Sequence, residues 1–557
     1  MRLPSSSQGI LASASAAAAK SSGSTRNMTI SASSAAKALS NAARMQMPRK
    51  SKLSSPLNPF KKQYSSHVPS SALVSVSTLP NGVRVATDGT PGHFSSLGIY
   101  IDTGSRFERP WVQGESGVSH LIDRMAFKST SQRSSDEMIR DMEKAGGNIM
   151  CSSSRETIMY QAATYGHSVS DVLSILSDTV LNPTLTEEEL LEQKEAAAWE
   201  INEIWNKPEM IIPEMLHSVA YNNATLGNPL LCPMESLQVM TSENLKNFRQ
   251  AWFTPERIVV AGAGVEHQAL VERVESLFGH LKGDASADSA SASASSSSSS
   301  RSSSSRSNSI SSLLSTVSSA STASSLAQSA DFSTAAKLNA QHSQNQVYPT
   351  HAEVAQAKAL YTGGELYDER GDMDFTHLYV AFEGLSIRDD DIYALATLQM
   401  LLGGGGSFSA GGPGKGMYSR LYSNVLNQHH AVDFCAAFHH CYADSGLFGS
   451  IKAQELQRAK NQLKSSLVMA LESRVVQVED VGRQVQVHGR RVSVEEMCEK
   501  IDEVDLEQLT RVARRVLRPE NASVNVLGSG QSSVVAMGNL NGMGDVRSML
   551  RSRGLGL

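Results

Sequence analysis

The stretch that decides the fold and the chemistry is Ser119–Thr130, which reads SHLIDRMAFKST. Apolar residues recur in and around it at helical spacing, and this pattern predicts an amphipathic helix with one buried face. Those apolar residues are Val118, Leu121, Ile122, Met125 and Ala126. His120 and Arg124 lie four residues apart, so the helix places them on one face, with Asp123 beside them. The spacing is that of an inverted zinc motif, H-x-x-E-H, with two positions changed.

Both changed positions work against metal chemistry. Asp123 is one methylene shorter than the glutamate that activates water in the intact motif. Arg124 has no lone pair and stays protonated, so a fixed positive charge stands where an imidazole would bind the metal. Glu200 follows on a predicted helix at the place of a third ligand, and we expect it to pair with Arg124 instead. Residue chemistry alone leaves one alternative open, namely ordinary helix-surface charges beside a packed His120.

The run SHLIDRMAFKST resembles the pitrilysin-type metallopeptidases, and within them the alpha subunits of mitochondrial processing peptidases, whose H-x-x-D-R motif is followed by AFKST. The resemblance covers about residues 72–283 and 360–530. It implies an α+β fold of two related domains in a clam-shell, each a mostly antiparallel sheet covered by helices. It also implies a heterodimer in which a catalytic beta subunit holds the zinc.

On this resemblance the chain is a non-catalytic subunit that is inactive alone. His120 and Glu200 become vestigial ligand positions, and no catalytic residue, metal ligand or cofactor is expected in this chain. A structural core subunit of the respiratory ubiquinol–cytochrome c reductase, which shares the fold, is the alternative. A glycine-rich segment described next favours the processing subunit, because a purely structural subunit does not need it.

Residues Gly403–Gly416 read GGGGSFSAGGPGKG, with eight glycines in fourteen residues. The segment is not a phosphate-binding loop, because Gly416 follows Lys415 where serine or threonine is required. Composition alone is typical of a flexible loop. The resemblance implies instead that it binds the basic presequences of imported precursors, through Gly403, Gly404, Gly405, Gly406, Ser407, Phe408, Gly411, Gly412, Gly414, Lys415 and Gly416.

Charge is unevenly distributed along the chain. Residues 1–64 contain ten Lys or Arg and no Asp or Glu, while the whole chain has a net charge of −5. This composition predicts a mitochondrial targeting segment, and a disordered basic tail is the alternative. The remaining 40 basic and 55 acidic residues, a net charge of −15, disfavour nucleic-acid binding and suit a basic peptide. The predicted location is the mitochondrial matrix.

Composition also predicts the domain organisation. A targeting segment at 1–64 precedes a peptidase-like domain at 70–283 that carries the degenerate motif, and a serine-rich linker or insert at 284–355 follows. A second peptidase-like domain at 356–530 carries the glycine-rich segment, and 531–557 form a tail. Five scattered cysteines favour a reducing compartment, and no apolar run is long enough to span a membrane.

Three local patterns predict individual elements. Asn81-Gly82 between alternating segments predicts a hairpin, and a capping box at Thr186 predicts a helix to about Trp205. Cys435, His439, His440 and Cys441 could suggest a metal site. Alternation along one strand would place His440 on the face opposite the other three, which favours a packed strand.

Overall fold

The computed structural model describes residues 74–282, 348–371, 373–406, 419–448, 456–518 and 530–556. Three features predicted from the sequence lie outside these ranges: the targeting segment at 1–64, residues 284–347 of the linker, and Ser407–Gly416 of the glycine-rich segment. Within the described ranges, no helix is both long enough and apolar enough to cross a membrane.

The amino-terminal half is built on a six-stranded sheet, the first sheet, with the order β1-β2-β6-β3-β5-β4. Its first two strands form the predicted hairpin, in which Thr78 pairs with Arg84 and Gly82 turns the chain with a φ of +98°. The strands are β1 (Val74–Thr78), β2 (Arg84–Asp88), β3 (Phe94–Ile101), β4 (Asn148–Ser153), β5 (Ile158–Tyr165) and β6 (Ile258–Ala263).

Eight helices are described in this half. The predicted helix does run to Trp205, and the Thr186 hydroxyl caps it by accepting a hydrogen bond from the Glu189 N–H at 3.3 Å. The capping box is only half formed, because the Glu189 carboxylate accepts from the Ser129 N–H at 3.0 Å and from the Thr186 hydroxyl at 3.1 Å, and not from the Thr186 N–H. The helices are α1 (Val118–Arg124), α2 (Ser135–Ala145), α3 (Val169–Leu181), α4 (Glu187–Trp205), α5 (Pro208–Ala220), α6 (Met234–Val239), α7 (Ser242–Trp252) and α8 (His267–Phe278).

The carboxy-terminal half contains a five-stranded sheet, the second sheet, with the order β11-β12-β8-β13-β7, and a separate two-stranded sheet of β9 and β10. The strands are β7 (Gly364–Glu369), β8 (His377–Glu383), β9 (Gly404–Gly406), β10 (Phe434–Ala436), β11 (His439–Cys441), β12 (Gly446–Phe448) and β13 (Ser533–Gly538). The helices are α9 (His351–Gln356), α10 (Ile392–Leu402), α11 (Leu456–Ala470), α12 (Arg474–His488), α13 (Val494–Glu503), α14 (Leu506–Leu517) and α15 (Val546–Ser552), with a π-helical turn at Tyr422–Leu426.

The two main sheets share one topology. In each, the last strand pairs in parallel with an early strand, β6 with β2 and β13 with β7, and antiparallel with the next one, β3 or β8. The order then continues outward through β5 and β4, or through β12 and β11. Among the described strands, β1 is the addition that distinguishes the first sheet from the second. The predicted α+β class, with related and mostly antiparallel sheets, is confirmed.

Each main sheet is covered in part by a helix from the other half. Helix α12 packs on β2, β3 and β6, where Val481 is buried with Tyr100. Helix α5 packs on β7, β8 and β13, where Met215 is buried with Tyr361. The hydrophobic clusters beneath α5 and α12 therefore combine residues of both halves and do not follow the domain ranges predicted from the sequence. Hydrophobic periodicity shows that a helix has a buried face, but not which sheet covers it.

Two of the predicted boundaries are wrong. Residues 531–557 are not a tail, because β13 lies inside the second sheet between β8 and β7. The linker does not extend to residue 355, because helix α9 buries Val354 in the hydrophobic cluster that also contains Leu97 of the first sheet. The Tyr348 ring stacks on Trp111 with centroids 6.2 Å apart. A short strand and a six-residue helix carry too little periodicity to be recognised beside low-complexity sequence.

Polar contacts also join the two halves. The Arg106 guanidinium contacts Glu156 at 2.5 Å and Asp444 at 2.6 Å, and the Glu156 carboxylate accepts the Ala443 N–H at 3.0 Å. Burial alone would disfavour the charge on Arg106, but these carboxylates raise its pKa above the ordinary value. The ion pair between Arg106 and Asp444 therefore connects the halves, in addition to helices α5 and α12, each of which packs on the sheet of the other half.

Candidate functional site

A buried carboxylate holds the amino end of the motif helix α1. Glu108 accepts hydrogen bonds from the N–H groups of Gly117 at 2.6 Å and Ser119 at 2.9 Å, and from the Ser119 hydroxyl. It satisfies N–H groups that the first turn of a helix leaves free. Burial raises the pKa of Glu108 to about 7, although the three hydrogen bonds favour its charged form. The capping role of Glu108 could not be predicted from the sequence, because Glu108 lies nine residues before Gly117, which occupies the N-cap position of α1.

His120 lies on the buried side of α1 and is 7% exposed. Its Nδ1 accepts a hydrogen bond from the Cys232 N–H at 3.2 Å, and its Nε2 lies 3.8 Å from Glu200 Oε2. The contact with Cys232 could not be expected from sequence, because 112 residues separate the two positions and no motif connects them.

Arg124 and Glu200 form an ion pair between helices α1 and α4. The guanidinium Nη1 contacts Glu200 Oε2, and the two side chains are 27% and 31% exposed. The His120 ring and the Arg124 charge lower the pKa of Glu200 below its ordinary value, against the effect of burial. The structure therefore brings together three of the four residues that the motif singled out, with a carboxylate neutralised by an arginine at their centre.

Asp123, the fourth motif residue, turns toward strand β4. Its Oδ2 accepts a hydrogen bond from the Ser153 N–H at 2.8 Å. Burial and the nearby Asp123 charge raise the pKa of the Cys151 thiol on the same strand well above its ordinary value. Asp123 thus fastens the end of β4 to α1, and its carboxylate is already engaged where the intact motif would have a general base.

These residues do not fit a zinc ion. A catalytic zinc site needs three protein ligands that present lone pairs to one point. Arg124 offers none, and its guanidinium occupies the carboxylate oxygen that Glu200 would have to offer. Across the ranges that the structure describes, no group of three or more His, Cys, Asp or Glu side chains is arranged to hold a metal ion.

The described part of the glycine-rich segment is structurally constrained. Gly403 ends helix α10 with a φ of +55°, and a Cβ there would lie 2.4 Å from the Ser419 Cβ. A Cβ on Gly404 would lie 2.0 Å from the Cys435 carbonyl oxygen. Gly404–Gly406 form β9 and pair with β10 in antiparallel register. The first glycines of the segment therefore bring the chain close against β10, whereas Ser407–Gly416 lie outside the described residues.

The run from Phe434 to Tyr442 is not one strand. Strands β10 and β11 pair with different neighbours, β9 and β12, so the predicted alternation over the whole run is wrong. The two residues between them belong to neither ladder and break the period. The His440 ring lies 5.4 Å from the His217 ring, whose Nε2 is 2.6 Å from the Tyr442 hydroxyl. These side chains belong to a packed aromatic cluster.

Comparison with known proteins places this geometry in a family. Residues 84–234 match the family described as Insulinase (Peptidase family M16), and residues 240–477 match the Peptidase M16 inactive domain. A protease from Helicobacter pylori has a similar fold, with a TM-score of 0.61 at 16% identity, covering 84% of this chain and 100% of that one.

Curated relatives are more similar in sequence. The mitochondrial-processing peptidase subunit alpha of Neurospora crassa is 48% identical over 79% of this chain and 82% of its own length. The Homo sapiens protein of the same name is 33% identical over 84% of this chain and 82% of its own length. A probable subunit alpha from Schizosaccharomyces pombe is 37% identical over 89% and 92%. The chain therefore belongs to peptidase family M16, in the group of mitochondrial-processing peptidase alpha subunits.

Proposed function

We propose that this chain is the non-catalytic, substrate-recognising subunit of a heterodimeric mitochondrial processing peptidase in the matrix. It binds the basic presequences of imported precursors through the segment that begins at Gly403 and presents them to a beta partner. That partner holds the zinc ion and supplies the group that activates water. The proposal is supported by relatives named mitochondrial-processing peptidase subunit alpha, and it goes beyond those names in assigning presequence binding to this chain and zinc to its partner.

The observation that carries the proposal is the ion pair between Arg124 and Glu200. It replaces a metal by a guanidinium at the centre of the motif, and it leaves Asp123 bonded to the backbone of β4. A chain of this family with such a site needs a second chain for hydrolysis. Its own contribution is then binding, which agrees with a net charge of −5 and with a segment that has eight glycines in fourteen residues.

The first experiment is a cleavage assay on the mature chain, alone and after copurification with a beta subunit. We expect no hydrolysis of a presequence peptide by the chain alone, and cleavage by the pair that stops when zinc is removed. Elemental analysis of the separated subunits should find zinc with the partner. Metal-dependent cleavage by the isolated chain, free of contaminating protease, would contradict the proposal.

A second experiment tests the glycine-rich segment. Because Gly403 and Gly404 are constrained by Ser419 and β10, the deletion should remove only residues 407–416 and leave β9 in place. We expect unchanged assembly with the partner and a KM for presequences at least tenfold higher. A deletion of equal length within 291–300 of the serine-rich stretch is the matched control. Equal KM values for the two deletions would dismiss this role for the segment.

A further inference from the structure

We propose that the Cys232 N–H is a second barrier to metal binding, independent of Arg124, because it holds His120 in a tautomer that cannot ligate zinc through Nε2. The observation is the hydrogen bond from the Cys232 N–H to His120 Nδ1, at 3.2 Å. The inference concerns residues of this chain alone and does not depend on the partner or on presequence binding.

The hydrogen bond determines where the ring carries its proton. A nitrogen that accepts a hydrogen bond has a lone pair, so in neutral imidazole the proton is on the other nitrogen. His120 therefore carries its proton on Nε2, the atom that faces Glu200 at 3.8 Å. An N–H group directed at a carboxylate is a favourable arrangement for the pair, and it leaves no lone pair on the side where the motif would place a metal.

Metal binding would require the opposite tautomer. A ligating histidine donates its second ring N–H to an acceptor, which fixes the ring and raises its basicity. Here the group beside Nδ1 is a donor, so a proton on Nδ1 would face the Cys232 N–H. Turning the ring over would place carbon atoms opposite both the Cys232 N–H and the Glu200 carboxylate. Either rearrangement leaves the N–H of a residue that is 1% exposed without its partner.

The segment that carries the donor packs tightly against the residues that precede α1. Gly117, which precedes α1 with a φ of +80°, lies so close that a Cβ on it would be 2.3 Å from the Cys232 Cα. The Cys232 thiol lies 3.6 Å from the carbonyl oxygen of Ser116, the residue before Gly117. Gly117 and Cys232 are therefore positioning residues, because their close approach keeps the backbone donor against the ring.

The consequence is that restoring an imidazole at position 124 does not restore a good zinc site. The Arg124→His variant would remove the guanidinium and free Glu200, but His120 Nδ1 would still face the Cys232 N–H donor. Loss of a correct outer partner weakens metal binding by about 10- to 100-fold. We expect the Arg124→His/Cys232→Pro variant, which lacks the N–H, to bind zinc at least tenfold more tightly than Arg124→His.

The experiment is zinc binding by equilibrium dialysis on the full chain, with Arg124→His/Cys232→Ser as the matched control. That control removes the thiol and keeps the N–H, so it should bind zinc as weakly as Arg124→His. Equal affinity of Arg124→His and the proline variant would overturn the proposal. So would a gain of affinity in the serine control equal to that in the proline variant, because the thiol would then be the cause.

A second measurement does not depend on the folding of any proline variant. In unaltered protein labelled with ¹⁵N-histidine, the His120 resonances are those that disappear in His120→Gln. We expect the chemical shifts of a protonated Nε2 and an unprotonated Nδ1. A protonated Nδ1 would overturn the proposal whatever the zinc affinities are.

Discussion

Replacing Arg491 with alanine leaves a buried aspartate without its cation, and we expect this change to weaken the docking of helix α12 on the first sheet. Arg491 Nη1 contacts Asp88 Oδ2 at the end of β2, and the two side chains are 6% and 2% exposed. Arg491 lies just after the end of α12, and Gln477 Nε2, on that helix, donates to Asp88 Oδ2 at 2.8 Å. Asp88, at the end of β2, thus joins the first sheet to helix α12 and to the residue Arg491 that follows it.

The magnitude follows from burial. Removing one partner of a buried ion pair costs about 3–5 kcal/mol, because the other charge stays buried and uncompensated. Asp88 would keep its bonds from Gln477 and from the Thr90 hydroxyl, at 2.5 Å. We therefore expect Arg491→Ala to lower the free energy of unfolding by about 3 kcal/mol, the lower end of that range.

The adjacent residue offers a matched control. Arg490 also forms an ion pair, with Glu496 at 2.8 Å, but its side chain is 58% exposed. Exposed pairs contribute at most about 1 kcal/mol, so Arg490→Ala should change stability little. Calorimetry of the full-length variants at pH 7 compares the two. Equal destabilisation by both substitutions, or a loss below about 1 kcal/mol for Arg491→Ala, would refute the account of the docking.

The same pair has a defined pH dependence. Burial opposes the charge on Asp88, but hydrogen bonds from Thr90 and the Arg491 cation hold its pKa below the ordinary value. A carboxylate whose pKa is lowered by folding contributes stability above its unfolded pKa of about 3.9 and loses it as the pH falls through the folded pKa. The stability difference between wild type and Arg491→Ala should therefore be full at pH 5 and above and shrink below about pH 4.

Three further outcomes are expected. Glu108 has its pKa raised to about 7 by burial, so the folded protein retains a proton that the unfolded chain loses. Stability should therefore fall as the pH rises from about 4.5 to 7, and denaturant titrations of Glu108→Gln should lack that slope. Gly403→Ala combines a left-handed φ with a clash against Ser419, whereas a Cβ on Gly489, which has a similar φ of +68°, would meet no atom within 4 Å. Chemical denaturation should therefore show that Gly403→Ala lowers the free energy of unfolding by more than about 2 kcal/mol and Gly489→Ala by about 1 kcal/mol. Arg124→Ala breaks a partly exposed ion pair, so it should change stability by no more than about 1 kcal/mol, and NMR titration should show the pKa of Glu200 moving upward.

Much of the fold could be predicted from local sequence. The hairpin at Gly82, the capped start of helix α4 and the helical face of the motif depend on residues within a few positions of each other. Their physical causes are backbone conformation, side-chain capping and hydrophobic period, and all three are visible in a short window. The strand β13 and helix α9 were missed because their placement depends on a sheet and a core built from distant residues.

The candidate site divides in the same way. Sequence by itself determined that an arginine stands four residues after His120, and the chemistry of guanidinium then excludes it as a metal ligand. Only the tertiary structure decided that the Cys232 N–H meets the His120 ring, that Asp123 holds β4, and that α12 covers the first sheet. Residue identity and spacing belong to the local chain, whereas these contacts join residues far apart in sequence, and their geometry exists only once the two sheets have formed.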